Sequence, residues 1–226
     1  MRDTASSVVL ITGASSGFGR ACAEHLARRG YCVFGTSRRP APDRLPYTML
    51  AMDVCDDESV RQGVEAVLAQ AGRIDVVVNN AGMGFGGSVE DTSTEEARVQ
   101  IETNLMGTFR VCRAVLPTMR ARRSGLIINI SSIGGLVGVP YQAFYSASKF
   151  AVEGLSEALR VEVRPWGVKV VLIEPGDART GFTERRLRTA ASGQNPDYCK
   201  ALDNALGVME NDERNGMPPQ RLARTV

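Results

Sequence analysis

The stretch SVVLITGASSGFGR, residues 7 to 20, decides the fold. Its aliphatic run reads as a short buried strand, which ends in a turn carrying Gly13, Gly17 and Gly19 before a helix begins. Glycines permit positive φ and close approach of the backbone, and the unpaired N–H groups of a helix start attract phosphate. A pyrophosphate would therefore rest here. The spacing is GxxxGxG and not the GxGxxG of the commoner dinucleotide-binding fingerprint, so the stretch alone also fits a glycine-rich turn without a ligand.

Outward from this turn, short β-branched runs alternate with longer amphipathic segments. Strands are expected at 7–12, 31–37, 47–54, 75–81, 125–132 and 168–175, with helices at 18–29, 57–71, 94–121, 143–164 and 197–209. That alternation is the pattern of an α/β fold, a doubly wound parallel sheet flanked by helices on both faces. The Pro-rich segment RRPAPDRLP at 38–46 is too short to divide domains, and no internal repeat is present, so residues 1–226 read as one domain.

Composition excludes several classes. Lys and Arg number 27 against 25 Asp and Glu, with no long block of like charge, which argues against a nucleic-acid arm or a membrane-binding face. The pairs Arg28-Arg29, Arg122-Arg123 and Arg185-Arg186 read as solvated surface. Five scattered cysteines with no CxxC pair argue against a disulfide framework or zinc site and for a reducing compartment; with no long apolar run, the expectation is a cytoplasmic protein. His25 is the only histidine, set near the end of the first helix where the helix dipole favours it, and no metal site or Ser-His triad can be built on it. Trp166, in RPWG, is expected to close the fifth helix.

Candidate chemistry lies in YQAFYSASKF, residues 141–150. Tyr145 precedes Lys149, one of three lysines in the chain, by four residues, which places phenol and ammonium on one helical face. A cation one turn away favours the phenolate, so Lys149 is expected to lower the pKa of Tyr145 and let it serve as general acid or base.

These residues carry a resemblance. The turn Thr12 to Gly19, the stretch Asn79-Asn80-Ala81-Gly82, INISS at 128–132, Tyr145-Ser146-Ala147-Ser148-Lys149 and Glu174-Pro175-Gly176 are similar to the successive landmarks of the short-chain dehydrogenase/reductase family, over about residues 7 to 182. The resemblance implies a Rossmann-like fold and an NADP(H)-dependent oxidoreductase acting on a ketone or secondary alcohol. It implies Tyr145 as the proton donor, Ser132 as the hydroxyl holding the substrate oxygen, and Ser131 as a non-catalytic neighbour. Lys149 would also hydrogen-bond the nicotinamide ribose, and Asn104 would hold a water that continues a proton relay. The cofactor would touch Gly13, Ser15, Ser16, Gly17, Phe18 and Gly19 at the turn, Asp53 and Val54 at the adenine, Asn80, Ala81 and Gly82 along the adenosine side, and Pro175, Gly176 and Thr180 over the nicotinamide. At the end of the second strand the position of an acidic ribose ligand is Ser37, followed by Arg38 and Arg39, which favours NADP(H): a guanidinium suits a 2′-phosphate, and no carboxylate repels it.

Taken singly, Tyr145 could be a core tyrosine, Lys149 a solvated residue, Ser132 a strand-end cap and Asn104 a helix kink or buried hydrogen-bonding residue; all four in register favour catalysis. The competing reading is a dinucleotide-binding regulator on the same fold without turnover. The expected partners are a small carbonyl or alcohol substrate and a second copy of the chain, through the helices at 94–121 and 143–164, with no nucleic acid or membrane. The segment from 181 onward is expected to hold a variable substrate loop. The sequence reads as lacking the family's last edge strand and looks truncated, with a poorly ordered tail beyond about residue 185.

Overall fold

The structure, a computed structural model, describes residues 6–40 and 44–226 of the chain; residues 41–43 of the Pro-rich segment lie outside them. Six parallel strands form the sheet: β1 (Val8–Ile11), β2 (Cys32–Ser37), β3 (Thr48–Ala51), β4 (Val76–Asn79), β6 (Gly125–Ile130) and β7 (Val168–Ile173), in the order β3-β2-β1-β4-β6-β7. All five neighbouring pairs are parallel, with Val9 opposite Val33 on one side and Val76 on the other. The strand order reverses between β1 and β4, which opens a crevice at the carboxyl ends of these strands.

Side chains alternate across the pleat, and the alternation divides the core into two layers. Leu10, Phe34, Val77, Ile127 and Val170 face one layer, filled by Val60, Val64 and Val67 of α2 (Asp57–Ala71), Val111, Val115 and Met119 of α4 (Gly107–Ala121) and Leu159 and Val163 of α5 (Ala143–Val163). Val9, Ile11, Val33, Val78 and Ile128 face the other, against Phe18, Ala21, Cys22 and Leu26 of α1 (Gly17–Arg28). Burial pushes the thiols of Cys22 and Cys112 up to about 12, so both behave as small apolar groups.

Helix ends follow their capping residues. Asp56 accepts from the Ser59 N–H at 2.6 Å and starts α2, and Gly72, at φ 71°, ends it. A capping box between Ser93 and Glu96 starts α3 (Thr94–Ile101). Trp166 closes a 3-10 turn, Arg164–Trp166, that follows α5 and ends at Gly167, at φ 68°.

Several expectations need correction. The helix expected at 94–121 spans those residues but is not α-helical throughout: α3 passes into a π-helical segment, Glu102–Met106, and then into α4. Two short strands escaped the periodicity, β5 (Phe85–Gly86) and β8 (Leu187–Arg188), which pair in parallel as a separate ribbon. The tail is structured: α6 spans Pro196–Asn215, longer than the expected 197–209, and α7 (Pro219–Leu222) docks Leu222 and Ala223 into the α1 layer. Arg186 is not solvated surface, since its side chain is 3% exposed and paired with Glu213, while Arg122 is tied to Asp75 at 2.6 Å. His25 lies in the last turn of α1 as expected, although slight burial and then Arg29, Arg224 and Arg28 lower its pKa. Among the described residues, β7 ends the sheet, and no helix is long and apolar enough to cross a membrane.

Candidate active site

The turn after β1 is built for close approach. Gly13 and Gly17 hold φ 67° and 56°, which side chains rarely adopt. A Cβ on Gly19 would come within 2.3 Å of the Asn80 amide and 2.5 Å of the Gly13 carbonyl. Asn80 braces the turn through its Nδ2, which donates to the carbonyls of Thr12 and Gly13 at 2.9 and 3.1 Å, while Thr12 Oγ1 accepts from the N–H groups of Asn80 and Ala81. The side chain of Asn80 is thus committed to the turn. The Phe18 ring is likewise buried in the core, which leaves its backbone N–H for a ligand.

Ser16 is the N-cap of α1 and makes no side-chain cap, so the first N–H groups of the helix stay open to an anion. Arg185 reaches across from the 181–186 segment and donates through Nη1 to Ser16 Oγ. At the end of β2, Ser37 Oγ is buried without a partner among the described residues, while Arg38 and Arg39 are exposed and form no ion pair there. Asp53 Oδ1 accepts from the Cys55 N–H, and Val54 is buried against Gly107. An orphaned hydroxyl, an uncapped helix start and a turn with no room for Cβ atoms together fit a phosphate-bearing dinucleotide.

The reacting end lies beyond β6. Ser132 caps the 3-10 turn Ile133–Gly135 by accepting from the Gly134 N–H at 3.1 Å. A Cβ on Gly134 would sit 3.1 Å from the Tyr145 ring, so the glycine lets the phenol lie against the turn that bears Ser132. Burial raises the pKa of Tyr145; a hydrogen bond with Ser132 opposes this, Glu213 adds to it, and Arg186 weakens it. The expected influence of Lys149 on the phenol is not among these causes. Its ammonium lies 5.8 Å from the Tyr145 ring centroid and donates to the Ile130 carbonyl at 2.8 Å. Burial lowers the Lys149 pKa to about 8, against the opposing effect of Glu153.

Asn104 sits in the π-helical segment, where the widened turn releases backbone groups that an α-helix would pair. Its Oδ1 accepts from the Met83 N–H at 2.9 Å, and its Nδ2 donates to the Met83 carbonyl and to Ser148 Oγ, each at 3.0 Å. Ser148 in turn donates to the Tyr145 carbonyl at 2.7 Å, so Asn104 is joined to the Tyr145 turn of α5. Ser131 is buried on the other side of the strand end, its Oγ against Gly135. Gly82 lies 3.3 Å, measured from an added Cβ, from Asn104 Oδ1, and Gly176 lies 3.0 Å from Ile133 on the same measure. Thr180 approaches Gly17, and its Oγ1 accepts from the Phe182 N–H at 3.3 Å. Pro175 accepts from the Ile133 N–H at 3.1 Å, which ties the end of β7 to the Ser132 turn.

Three residues that the sequence did not single out complete this wall. The Phe182 ring lies 5.7 Å from the Tyr145 ring at 54° and covers it; a Cβ on Gly84 would come within 2.8 Å of that ring. Arg186 stands 5.8 Å from the Phe182 ring, held by Glu213 Oε1, while Glu213 Oε2 accepts from Thr183 Oγ1 at 2.6 Å. No local pattern marks them, since they come from the irregular 181–186 segment and the far end of α6.

The family described as short chain dehydrogenase matches residues 7–191. A 3-ketodihydrosphingosine reductase of Bacteroides thetaiotaomicron is 51% identical over 219 residues, covering 97% of this chain and 81% of that protein. Among solved structures, a short-chain dehydrogenase from Streptomyces avermitilis superposes with a TM-score of 0.88 at 38% identity, over 99% of this chain and 83% of the other. A short chain dehydrogenase/reductase from Burkholderia phymatum, in complex with NAD, superposes at 0.85 with 27% identity, over 99% and 85%.

Proposed function

Because the chain belongs to the short-chain dehydrogenase/reductase family, whose members are oxidoreductases that bind nicotinamide cofactors, we propose that it reduces a ketone to a secondary alcohol with NADPH. The observation that carries this reading is the Tyr145 ring lying against Gly134 in the turn that Ser132 caps, with Lys149 one helical turn away. When bound, the nicotinamide supplies the hydride. Ser132 holds the substrate carbonyl oxygen, and Tyr145 gives it the phenolic proton as the alkoxide forms. Lys149 then returns a proton toward Tyr145 from the side that Asn104 braces, and in the opposite direction Tyr145 acts as base.

The whole set of contacts expected for the cofactor belongs to this proposal, with residues 1–226 as a single domain. Preference for NADP(H) rests on Arg38 and Arg39 beyond Ser37, where no carboxylate stands to repel a 2′-phosphate. The name of the 51%-identical relative makes long-chain keto compounds the first substrates to try.

The test is a panel of ketones, 3-ketodihydrosphingosine among them, with NADPH or NADH, followed by absorbance. Ketone-dependent oxidation of NADPH in preference to NADH is expected. Arg38→Ala should weaken NADPH binding by about 1.5–3 kcal/mol and leave NADH nearly unchanged, as only NADPH carries the phosphate. Equal affinity of the wild type for both nucleotides would overturn the cofactor reading. If neither nucleotide is consumed with any ketone, the reductase reading fails.

A further inference from the structure

The proposed chemistry leaves one buried charged pair unused. Arg186 and Glu213 pair through Nη2 and Oε1, with side chains only 3% and 15% exposed. Glu213 is satisfied, since its other oxygen accepts from Thr183. Arg186 is not: Nε and Nη1 are buried and have no hydrogen-bond partner among the described residues. Buried donors on a charged group are costly when unmade, so an acceptor is missing from this wall.

Its position says where that acceptor comes from. The charges of both Glu213 and Arg186 act on the Tyr145 phenol, and the Phe182 ring stands against both Tyr145 and Arg186, at 5.7 and 5.8 Å. The ring thus lies beside both groups, so a substrate carbonyl held at Tyr145 has its neighbouring atoms directed along Phe182 toward the guanidinium. Glu213 offsets the charge of Arg186, so an anionic group placed here would lie beside a carboxylate, whereas a neutral hydroxyl can accept from Arg186 without that repulsion.

We infer that Arg186 is a specificity-determining residue, whose unpartnered N–H groups donate to a hydroxyl carried by the substrate within a few bonds of the carbonyl that Tyr145 protonates. The inference rests on the reading of Tyr145 as proton donor. It assigns the preferred substrates to the hydroxy ketones rather than to simple ketones or keto acids.

The test pairs a β-hydroxy ketone with its deoxy counterpart of equal chain length, at saturating NADPH, for the wild type, Arg186→Lys and Arg186→Met. Wild-type kcat/KM should favour the hydroxy ketone by about tenfold to a hundredfold, since a site built to donate to a hydroxyl rejects the analogue lacking it. Arg186→Met leaves Glu213 unpaired near Tyr145 and should slow both substrates, but the hydroxy ketone by about a further tenfold or more, so that the preference is lost; a merely structural residue would lower both by the same factor. Arg186→Lys keeps a cation for Glu213 but not the fork, and should also lose most of the preference, so it decides the matter if the Met variant does not fold. An unchanged hydroxy-to-deoxy ratio in the variants, or a wild-type preference for a keto acid, overturns the inference. Thermal-shift binding of the matched diol and mono-alcohol with NADP+ gives a readout free of turnover. A wild type that reduces no ketone yet still separates these two alcohols through Arg186 would sink the reductase reading while leaving the contact between Arg186 and the hydroxyl standing.

Discussion

Tyr145 and Lys149 share a face of α5, yet their surroundings push their titrations in opposite directions. Burial raises the phenol and lowers the ammonium to about 8, so in the free protein the proton stays on tyrosine across the physiological range. Tyr145→Phe preserves the ring packed against Gly134 and Phe182 and removes only the donor. Ketone reduction should fall by about 100-fold to 10,000-fold while the Kd for NADPH, by titration calorimetry, stays within about twofold. Near-normal kcat in this variant would remove Tyr145 from the chemistry. The Lys149 shift has a stability consequence whose sign is opposite to that of a lysine gaining a partner. Between about 8 and the model-peptide value near 10.4, the unfolded chain binds the Lys149 proton and the folded chain does not, so this group adds stability as pH rises through that window. The difference in unfolding free energy between wild type and Lys149→Met should therefore grow by up to about 1.4 kcal/mol per pH unit above pH 8. Cys22 and Cys112, raised to about 12, act oppositely above pH 9 but cancel in the difference. A flat difference from pH 7 to 10, by denaturant titration, would show that Lys149 is not held below its usual range.

At the scale of the element, the irregular pieces carry the site. The π-helical segment between α3 and α4 turns Asn104 toward Met83 and Ser148, and the 3-10 turn after β6 presents Ser132 to Tyr145. The last helix, α7, has only four residues and could not persist alone; it persists because Leu222 and Ala223 enter the layer formed by α1. Leu222→Ala should lower unfolding free energy by about 2–4 kcal/mol, the usual cost of a buried Leu truncation. A urea midpoint unchanged from wild type would mean that α7 is not seated on α1 in solution.

For the whole molecule, the outer faces of α4 and α5 leave Phe109, Phe150 and Val161 exposed, and a hollow of about 640 Å³ lined in part by Val99 and Phe144 opens beside α3. Exposed apolar surface of this kind favours a second copy of the chain packed helix to helix. Sedimentation equilibrium should show a dimer that Phe150→Glu dissociates, and a wild-type monomer at tens of micromolar would overturn this. The sequence by itself determined the parallel sheet and the helices that cover its faces, because β1 and its neighbours read as short continuous apolar runs and strand, turn and helix each carry their own local signal. It also marked Tyr145 and Lys149, four residues apart on one helix, and Ser132 through the family resemblance. The π-helical winding inside 94–121 was not settled by the sequence, which left Asn104 open as a helix kink or a buried hydrogen-bonding residue; its contacts with Met83 and Ser148 decide it. Nor was the wall of Phe182, Arg186 and Glu213. Arg186 reads as a solvated arginine until α6 brings Glu213 beside it and the 181–186 segment folds over Tyr145. Burial and ion pairing between distant segments are properties of the packed chain, and only the tertiary structure decided them.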